Sequence, residues 1–516
     1  MPADAFEKVV NLCVRRALIF PSAEPYAALA SASGGFAGFF DYGNYGATLK
    51  RRLEAEWFKR FVEQREDVVA LDAAIITPRP VLEASGHLAS FNDPLVECSK
   101  CKSKYRADHL IEQELKKSVD GLSLEKLAEM LLTEKIVCPK CKGALSEIKT
   151  FNLMFPTTVG AAGGATGAAQ SGDEKSAAFL RPETAQSIFV DFPRLALASR
   201  KQLPFGVAQA GRVFRNEIAP RNFVFRAREF SQLEIEFFIH PWKIEECEIP
   251  KRLADIEIAF LDARVQHTKG GAGKATFGKL VYEKTISNKW VAYWLAEFVD
   301  WFASLGIPAA KLRLRQHTED ELSHYSRETW DVEYEYPGMG WKELMGVADR
   351  GDYDLKAHAK KSGKEFSVFD DAAKQKVTPF VVEPSLGTDR LIFTLLCEAY
   401  TEKKDNGEIK TVLSLNPRIA PVQAGVFPLM KKDGLAEKAR SVFEKLRSEG
   451  FAVEYDEGGS IGKRYARADE VGTPFCITID YDSLEKDDAT IRERDTAAQE
   501  RVKLKDLGRV LAKKLG

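Results

Sequence analysis

Nowhere in the 516 residues is there a run of about 18 apolar side chains, so no segment is expected to span a bilayer. The opening residues, MPADAFEKVVNLC, lack the charged, apolar and small-residue succession of a secretory signal, and a cytoplasmic location is expected. Neither sign of charge is in excess. Lys and Arg number 75 against 76 Asp and Glu, a net −1, which excludes a surface coated in basic residues and leaves any anionic partner to local patches. Cysteine is sparse, with eight in the chain, too few for a disulfide framework. Glycine loops that cradle phosphate are missing as well. Ahead of the GK of KGGAGKA the first glycine position is Thr268, and Ala275 follows the lysine; GGSIGKR has Glu457 and Arg464 in those places. A P-loop is therefore excluded, a dinucleotide fingerprint has no support, and no internal repeat is present.

What remains is the composition of an ordinary globular protein, 45% hydrophobic and 29% charged, of a length suited to about three domains. In LKRRLEAEWFKRFVEQRE (49–66), Leu49, Leu53, Trp57 and Phe61 at four-residue spacing predict an amphipathic helix. VVALDAAIITP then predicts a strand ended by Pro78. DHLIEQELKKS and SLEKLAEMLLTEK read as short helices, and the small, polar tract 159–178 as a mobile loop. Residues 241–310 are mainly helical in pattern. KLRLRQH, DVEYEYP, WKELMGVAD and PFVVEPSLG read as strands, and GTDRLIFTLLCEAY as a helix. After a linker at 416–421, the last hundred residues alternate strand and helix in the manner of a compact α/β domain.

Three groupings carry chemistry. Residues 211–238 concentrate Arg212, Arg215, Arg221, Arg226 and Arg228 around a polar turn between two apolar strands. A solvated hairpin accounts for such charge, and so does a site for phosphate, since the planar guanidinium fork pairs with phosphate oxygens. Glu343 and Glu383 fall on strands expected in the core, where an unpaired carboxylate is costly, so each needs a cation. Cys98, Cys101, Cys138 and Cys141 form two CxxC pairs, the pattern of a tetrahedral zinc site closed by four sulfurs. Their segment, 98–149, reads as too poor in large apolar residues to bury a core of its own. From 489 to 516 basic residues exceed acidic ones by four, a patch that a solvated helix face explains as well as nucleic acid does.

FRNE, the APR turn, REFSQLEIE and, far downstream, EPSLGTDR resemble in order and spacing the signature motifs of class II aminoacyl-tRNA synthetases. GGFAGFFDYGNYGATLKRRLE, ASGHLASFNDPLVEC, YRADHLIE, FNLMFPTTVG, FLRPETAQSIFVDF and GWKELMGVADRGDYDL extend the likeness from about residue 34 to 393 and resemble glycyl-tRNA synthetases of the homodimeric type. FRNE and GTDR by themselves mark only the class; RPETAQ and EPS narrow it to glycine. The resemblance implies an α+β fold: an antiparallel sheet flanked by helices, a zinc-ribbon insertion and a C-terminal α/β anticodon-binding domain. It places the catalytic domain at 1–97, with a dimerisation helix and strand, then at 150–240 and 311–415. The zinc-binding insertion is 98–149, a mainly helical insertion 241–310, and the anticodon-binding domain 416–516.

The activity so implied joins glycine to tRNA(Gly) through glycyl-adenylate, with ATP as substrate, Mg2+, a structural Zn2+, a homodimeric assembly and no membrane. By the same resemblance Arg215 holds the α-phosphate, Glu217 the adenine amino group, and Phe230 stacks on adenine. Arg390 grips the distal phosphate, Arg226 or Arg228 takes the γ-phosphate, and Glu343 serves the metal or ATP side. Glu183, Glu383 and Ser385 hold glycine's ammonium group.

Overall fold

The computed structural model describes residues 4–516 apart from 27–35, 117–118, 120–121, 161–176, 269, 324, 372 and 406. The tract expected to be a mobile loop thus lies largely outside the described residues. No described helix is long and apolar enough to cross a membrane.

A nine-stranded sheet forms the centre. Its strands in chain order are β1 (Val68–Ala70), β2 (Phe205–Phe214), β3 (Glu229–Ile239), β4 (Glu257–Leu261), β5 (Gly273–Thr276), β6 (Leu312–Gln316), β7 (Glu328–Tyr336), β8 (Gly340–Gly351) and β9 (Phe380–Gly387). Across the sheet they run β5-β4-β6-β7-β8-β9-β3-β2-β1. Only β1 with β2 and β4 with β6 are parallel; the long central pairings are antiparallel.

Alternation along each central strand divides the sheet into two faces. On β3, Leu233, Ile235 and Phe237 join the large apolar cluster with helices α1 (Asn44–Phe58), α3 (Lys289–Leu305) and α4 (Thr388–Ala399). Phe238 on the other face meets Phe189 and Phe192 of helix α2 (Ala185–Ser199). The helix expected over 49–66 is α1 followed by a π-helical turn at Lys59–Glu63, and Leu49, Leu53, Trp57 and Phe61 are all buried. A four-residue spacing drifts about 40° per step on an α-helix; the wider π turn winds back, which keeps Phe61 on the core side.

Two expectations need correction and one an addition. VVALDAAIITP is two short strands, β1 and Ile76–Pro78, joined by an irregular stretch, and they belong to different sheets. Residues 241–310 are mainly helical as expected, with α3 their longest element, and they add β4 and β5 to the central sheet beyond β6, where Ile258 and Ala275 turn into the large cluster. Segment 98–149 does bury a core: Leu110, Ile111, Val119, Leu127, Leu131 and Ile136, with Val96 from just ahead of it, pack together between the helices Ala107–Leu115 and Leu124–Thr133 and a three-stranded sheet. Its apolar residues are spread thinly along the chain, and only the packing of the two helices on each other and on the sheet brings them into one cluster.

The C-terminal unit is a five-stranded sheet with strand order Val453–Tyr455, Ala424–Pro428, Phe475–Ile479, Asp488–Glu493, Gln499–Lys503. The first three are parallel and the last two antiparallel. Leu435, Ala439, Val442 and Leu446 on the helix Leu435–Ser448 bury into its apolar cluster. The whole is an α+β fold with a separate α/β domain at its C-terminus.

Candidate functional site

Register in the central sheet builds the floor of one cavity. Gln209, Glu234, Ser385, Gly346 and Asp331 are successive cross-strand partners on β2, β3, β9, β8 and β7. In-register partners share a face, so two carboxylates stand at the ends of a short dip whose middle positions carry only a hydroxymethyl and a hydrogen. Above this dip lies a cavity of about 430 Å³. Bordering it are Glu183, Arg215, Glu217, Arg226, Phe230, Glu343, Glu383, Ser385 and Arg390, all of them residues singled out in the sequence.

The arginine hairpin supplies one wall. Just beyond the end of β2, the Nε of Arg215 donates to the Pro182 carbonyl at 3.1 Å, and its guanidinium lies 5.4 Å from the Phe230 ring centroid and 5.6 Å from that of Phe91. Glu217 has a buried Oε2 with no hydrogen-bond partner, and its nearest cation is the Nε of Arg226 at 3.7 Å. The sequence left Arg226 and Arg228 equivalent; the fold separates them. Arg226 faces the cavity, whereas Arg228 donates to the carbonyls of Glu217 at 2.9 Å and Ala37 at 3.0 Å and ties the hairpin to the N-terminal segment.

From the cysteine-bearing segment His109 reaches the same loop, accepting from Arg226 at 3.1 Å and Arg221 at 3.3 Å. Burial and the cations of Arg106, Arg226 and Arg221 push its pKa down to about 3, so it meets them as a neutral acceptor. Strand β2 passes beneath this wall at Gly211, where a Cβ would stand 2.0 Å from the Arg181 guanidinium that donates to the Arg212 and Ala73 carbonyls.

On the opposite rim Arg390, from the first turn of α4, donates to the Glu343 carbonyl at 2.8 Å and lies 3.2 Å from its carboxylate, with its guanidinium over Phe225 at 4.8 Å. Glu343 is on β8 as expected, but its side chain is 51% exposed. Burial therefore does not force a cation on it, although Arg390 supplies one; the residue borders the cavity where a bulge shifts the β7–β8 register. Glu383, by contrast, is buried, and it meets a cation.

That cation, Arg350, was not singled out by sequence. It is fully buried, donates to both oxygens of Asp354 at 2.7 and 2.9 Å and to Glu383 at 2.9 Å, and packs on the Tyr325 ring at 3.8 Å. Gln186 continues the network, donating to Glu183 at 2.9 Å and Asp354 at 3.2 Å, while His358 meets its carbonyl oxygen at 2.9 Å. Glu183 also faces His87 Nε2 at 3.4 Å. Burial opposes ionisation of Glu183, but His87, Arg350 and Gln186 outweigh it and hold the carboxyl well below the usual glutamate range. His87 meets Ser85 Oγ at 2.8 Å through its other nitrogen, so it orders its own turn and orients Glu183 besides.

Glu234 is saturated by Ser385 Oγ at 2.6 Å and by the Thr184 amide at 3.0 Å. Alternation on QLEIE placed Glu234 on a face, but nothing in the sequence said which. Arg350 and Asp354 lie four apart on MGVADRGDYD, a spacing with no meaning until a turn folds it.

Elsewhere, the four thiols converge. Cys98 and Cys141 Sγ are 3.5 Å apart, Cys101 and Cys138 Sγ 3.6 Å, and all four lie within 4.8 Å of one another. Zn–S bonds of about 2.3 Å at tetrahedral angles put sulfurs about 3.8 Å apart, so the cluster fits such an ion. Each pair sits on a tight turn in which an amide four residues on returns to the first cysteine's carbonyl, Lys102 to Cys98 at 3.0 Å and Lys142 to Cys138 at 2.8 Å. The basic C-terminal tail is largely spent within its own domain: Arg492 pairs with Asp469, Arg501 with Asp480 and Asp488, and Lys514 with Glu493 and Glu500.

Residues 423–514 match the anticodon binding domain family. Over its length the chain is 42% identical to the glycine–tRNA ligase of Caldanaerobacter subterraneus subsp. tengcongensis, with 99% of this chain and 98% of that protein covered. It is 41% identical to the glycine–tRNA ligase of Bacillus thuringiensis subsp. konkukian, with 99% of each covered. For that of Clostridium perfringens the figures are 41% identity, 99% and 98%.

Proposed function

The chain belongs to the glycine–tRNA ligase family and makes glycyl-tRNA; on that premise we propose that the cavity above β3, β8 and β9 is where glycine and ATP meet. The carrying observation is the convergence of residues from five separate stretches of sequence on one cavity of about 430 Å³. In the first step glycine's carboxylate oxygen bonds to the α-phosphorus of ATP as the bond to pyrophosphate breaks. In the second, a ribose hydroxyl at the tRNA 3′ end takes the glycyl group, loses its proton and releases AMP. Phosphoryl transfer asks for positioning and neutralisation of charge on the equatorial oxygens.

Arg215 is assigned to the α-phosphate. Its Nε is anchored on Pro182 and its flat face lies near Phe230 and Phe91, which aims the terminal nitrogens. Glu217 takes the adenine amino group, as its unpartnered buried oxygen suggests, and Phe230 stacks on the ring. Arg390 holds the distal phosphate. Of the two loop arginines Arg226 is assigned to the γ-phosphate, because Arg228 is engaged with backbone. Glu343, at the mouth beside Arg390, is placed to hold Mg2+, which would neutralise phosphate oxygens.

Glycine's ammonium group is assigned to Glu183, Glu383 and Ser385. The frame of Gln186, Asp354 and Arg350 joins the two carboxylates from behind, so the gap between them is fixed. A pocket of set size rejects what is too large more readily than what is too small; alanine and serine are excluded by their Cβ. ATP–pyrophosphate exchange tested with each amino acid checks this reading: it should require glycine, and robust exchange with serine or proline would refute it.

Cys98, Cys101, Cys138 and Cys141 are assigned one structural Zn2+, with no open position for catalysis. The insertion they close contacts the ATP-side loop through His109, and we place it over the acceptor end of tRNA(Gly). The assembly is proposed to be a homodimer built on the region of α1 and β1. A cytoplasmic setting, with its reducing thiol pool, suits eight cysteines that form no disulfide.

A further inference from the structure

On β3 the side chains that face the cavity side follow a gradient. Gln232 and Glu234 border the cavity, Phe238 lies in the apolar cluster under α2, and Glu236 falls between them. Glu236 is completely buried and neither of its carboxyl oxygens has a hydrogen-bond partner. Its carboxyl lies within 4.8 Å of those of Glu234 and Glu383.

The charged groups facing it are Glu234 on the same strand, Glu383 on β9, Arg350 on β8 and Asp354 on the helix Tyr353–Ser362. Arg350 is the cation among them, and the bonds it makes go to Asp354 and Glu383. Glu234 is held by Ser385 and Thr184. A fourth ionised carboxylate in this dry cluster would have neither counter-ion nor donor, an expensive state that a single proton removes. Once protonated, the group becomes a donor, with the carboxylate oxygens of Glu383 and Glu234 at hand, and those of Glu234 are already satisfied.

We propose that Glu236 is a neutral positioning residue for the glycine pocket, its protonated carboxyl donating to Glu383 and fixing that carboxylate toward the ammonium group. Burial, and then the neighbouring Glu383, raise the pKa of Glu236, and burial raises that of Glu383 as well, to about 8, against the pull of Arg350; because Arg350 donates to Glu383 and no donor reaches Glu236, the proton of the pair rests on Glu236 and the charge on Glu383. The arrangement leaves Glu383 with Arg350 on one side, Glu236 on another and its remaining lone pairs for the substrate. It rests on the assignment of glycine to Glu183 and Glu383.

Infrared difference spectroscopy on the full-length enzyme at pH 7, with and without glycine, tests the proposal. The wild type should show the carbonyl stretch of a protonated carboxyl that shifts on adding glycine and is missing in Glu236→Gln. In glycine-dependent exchange, Glu236→Leu, which removes the donor, should raise the glycine KM by about tenfold or more with kcat at saturating glycine changed by less than about threefold. Glu236→Gln, a neutral donor of the same length, should recover most of that loss.

Absence of the band from the wild type, or a KM in Glu236→Gln as high as in Glu236→Leu, would overturn the proposal by making Glu236 a charged group. A band that ignores glycine while glycine-dependent exchange proceeds would overturn its link to Glu383. Exchange that does not depend on glycine at all would instead mark failure of the underlying assignment. If Glu236→Leu does not fold, the wild-type spectrum and the Gln variant still decide.

Discussion

Arg215 shows how much one side chain can be asked to do. In its proposed place on the α-phosphate, its anchoring on Pro182 would spare reorganisation as charge builds there and make it worth more than a mobile surface arginine. Replacing it with alanine should cost about 10²–10³ in kcat, with the melting temperature nearly unchanged; a loss within about threefold would mean that it does not touch phosphate. Glu183 allows a test by pH. Its folded pKa is depressed, so its pairing stabilises the fold fully above the ordinary glutamate value of about 4.3 and is lost as pH falls toward the folded pKa. Denaturant melts should therefore find Glu183→Gln less stable than wild type at pH 7, with the gap closing progressively below about pH 4.3. A gap that widens in acid would show that the carboxylate is not held by His87 and Arg350.

Among the elements, the arginine hairpin and the cysteine-bearing insertion act as a pair, since His109 on the helix Ala107–Leu115 meets both Arg221 and Arg226. Zinc in small folds contributes about 10–16 kcal/mol of apparent binding free energy. Here the insertion also has an apolar cluster between its helices, so metal loss should loosen it rather than abolish it. Cys138→Ser is expected to lower zinc content and melting temperature together, and to impair tRNA charging more than glycyl-adenylate formation. Equal losses in both half-reactions would leave the metal and remove its link to the acceptor end. The hairpin itself should distinguish its two arginines: Arg226→Ala is expected to raise the ATP KM, whereas Arg228→Ala should chiefly destabilise the fold.

At the scale of the molecule, the C-terminal domain is braced against the N-terminal helix Ala5–Arg15. Arg16 Nε donates to Glu470 at 2.6 Å and Arg15 reaches the same carboxylate at 3.1 Å, while Tyr45 donates to Glu454 at 3.1 Å. A half-buried ion pair of this kind is worth about 1 kcal/mol, or about fivefold in an equilibrium. Glu470→Ala should thus weaken tRNA charging about that much by loosening the domain's orientation and leave glycine-dependent exchange intact; equal effects on both would place Glu470 in the catalytic half. Sedimentation of the full chain should give about twice its 57.6 kDa mass, and a monomer would refute the homodimer.

The sequence by itself determined the local features. Alternation gave the central strands, four-residue spacing gave the buried face of α1, and doubled CxxC gave the thiol cluster, because each depends only on the period of a helix or strand or on the reach of a turn. Family likeness added the arginines and carboxylates that line the cavity. The tertiary structure alone decided the rest. Strand order brought Glu234 beside Ser385 and Gly346, and the packing of Tyr353–Ser362 against α2 joined Arg350 and Asp354 to Gln186. The same packing left Glu236 buried without a partner. Burial and charge pairing arise from contacts between residues far apart in the chain, and no local pattern of residues encodes which of several acids will find the one cation.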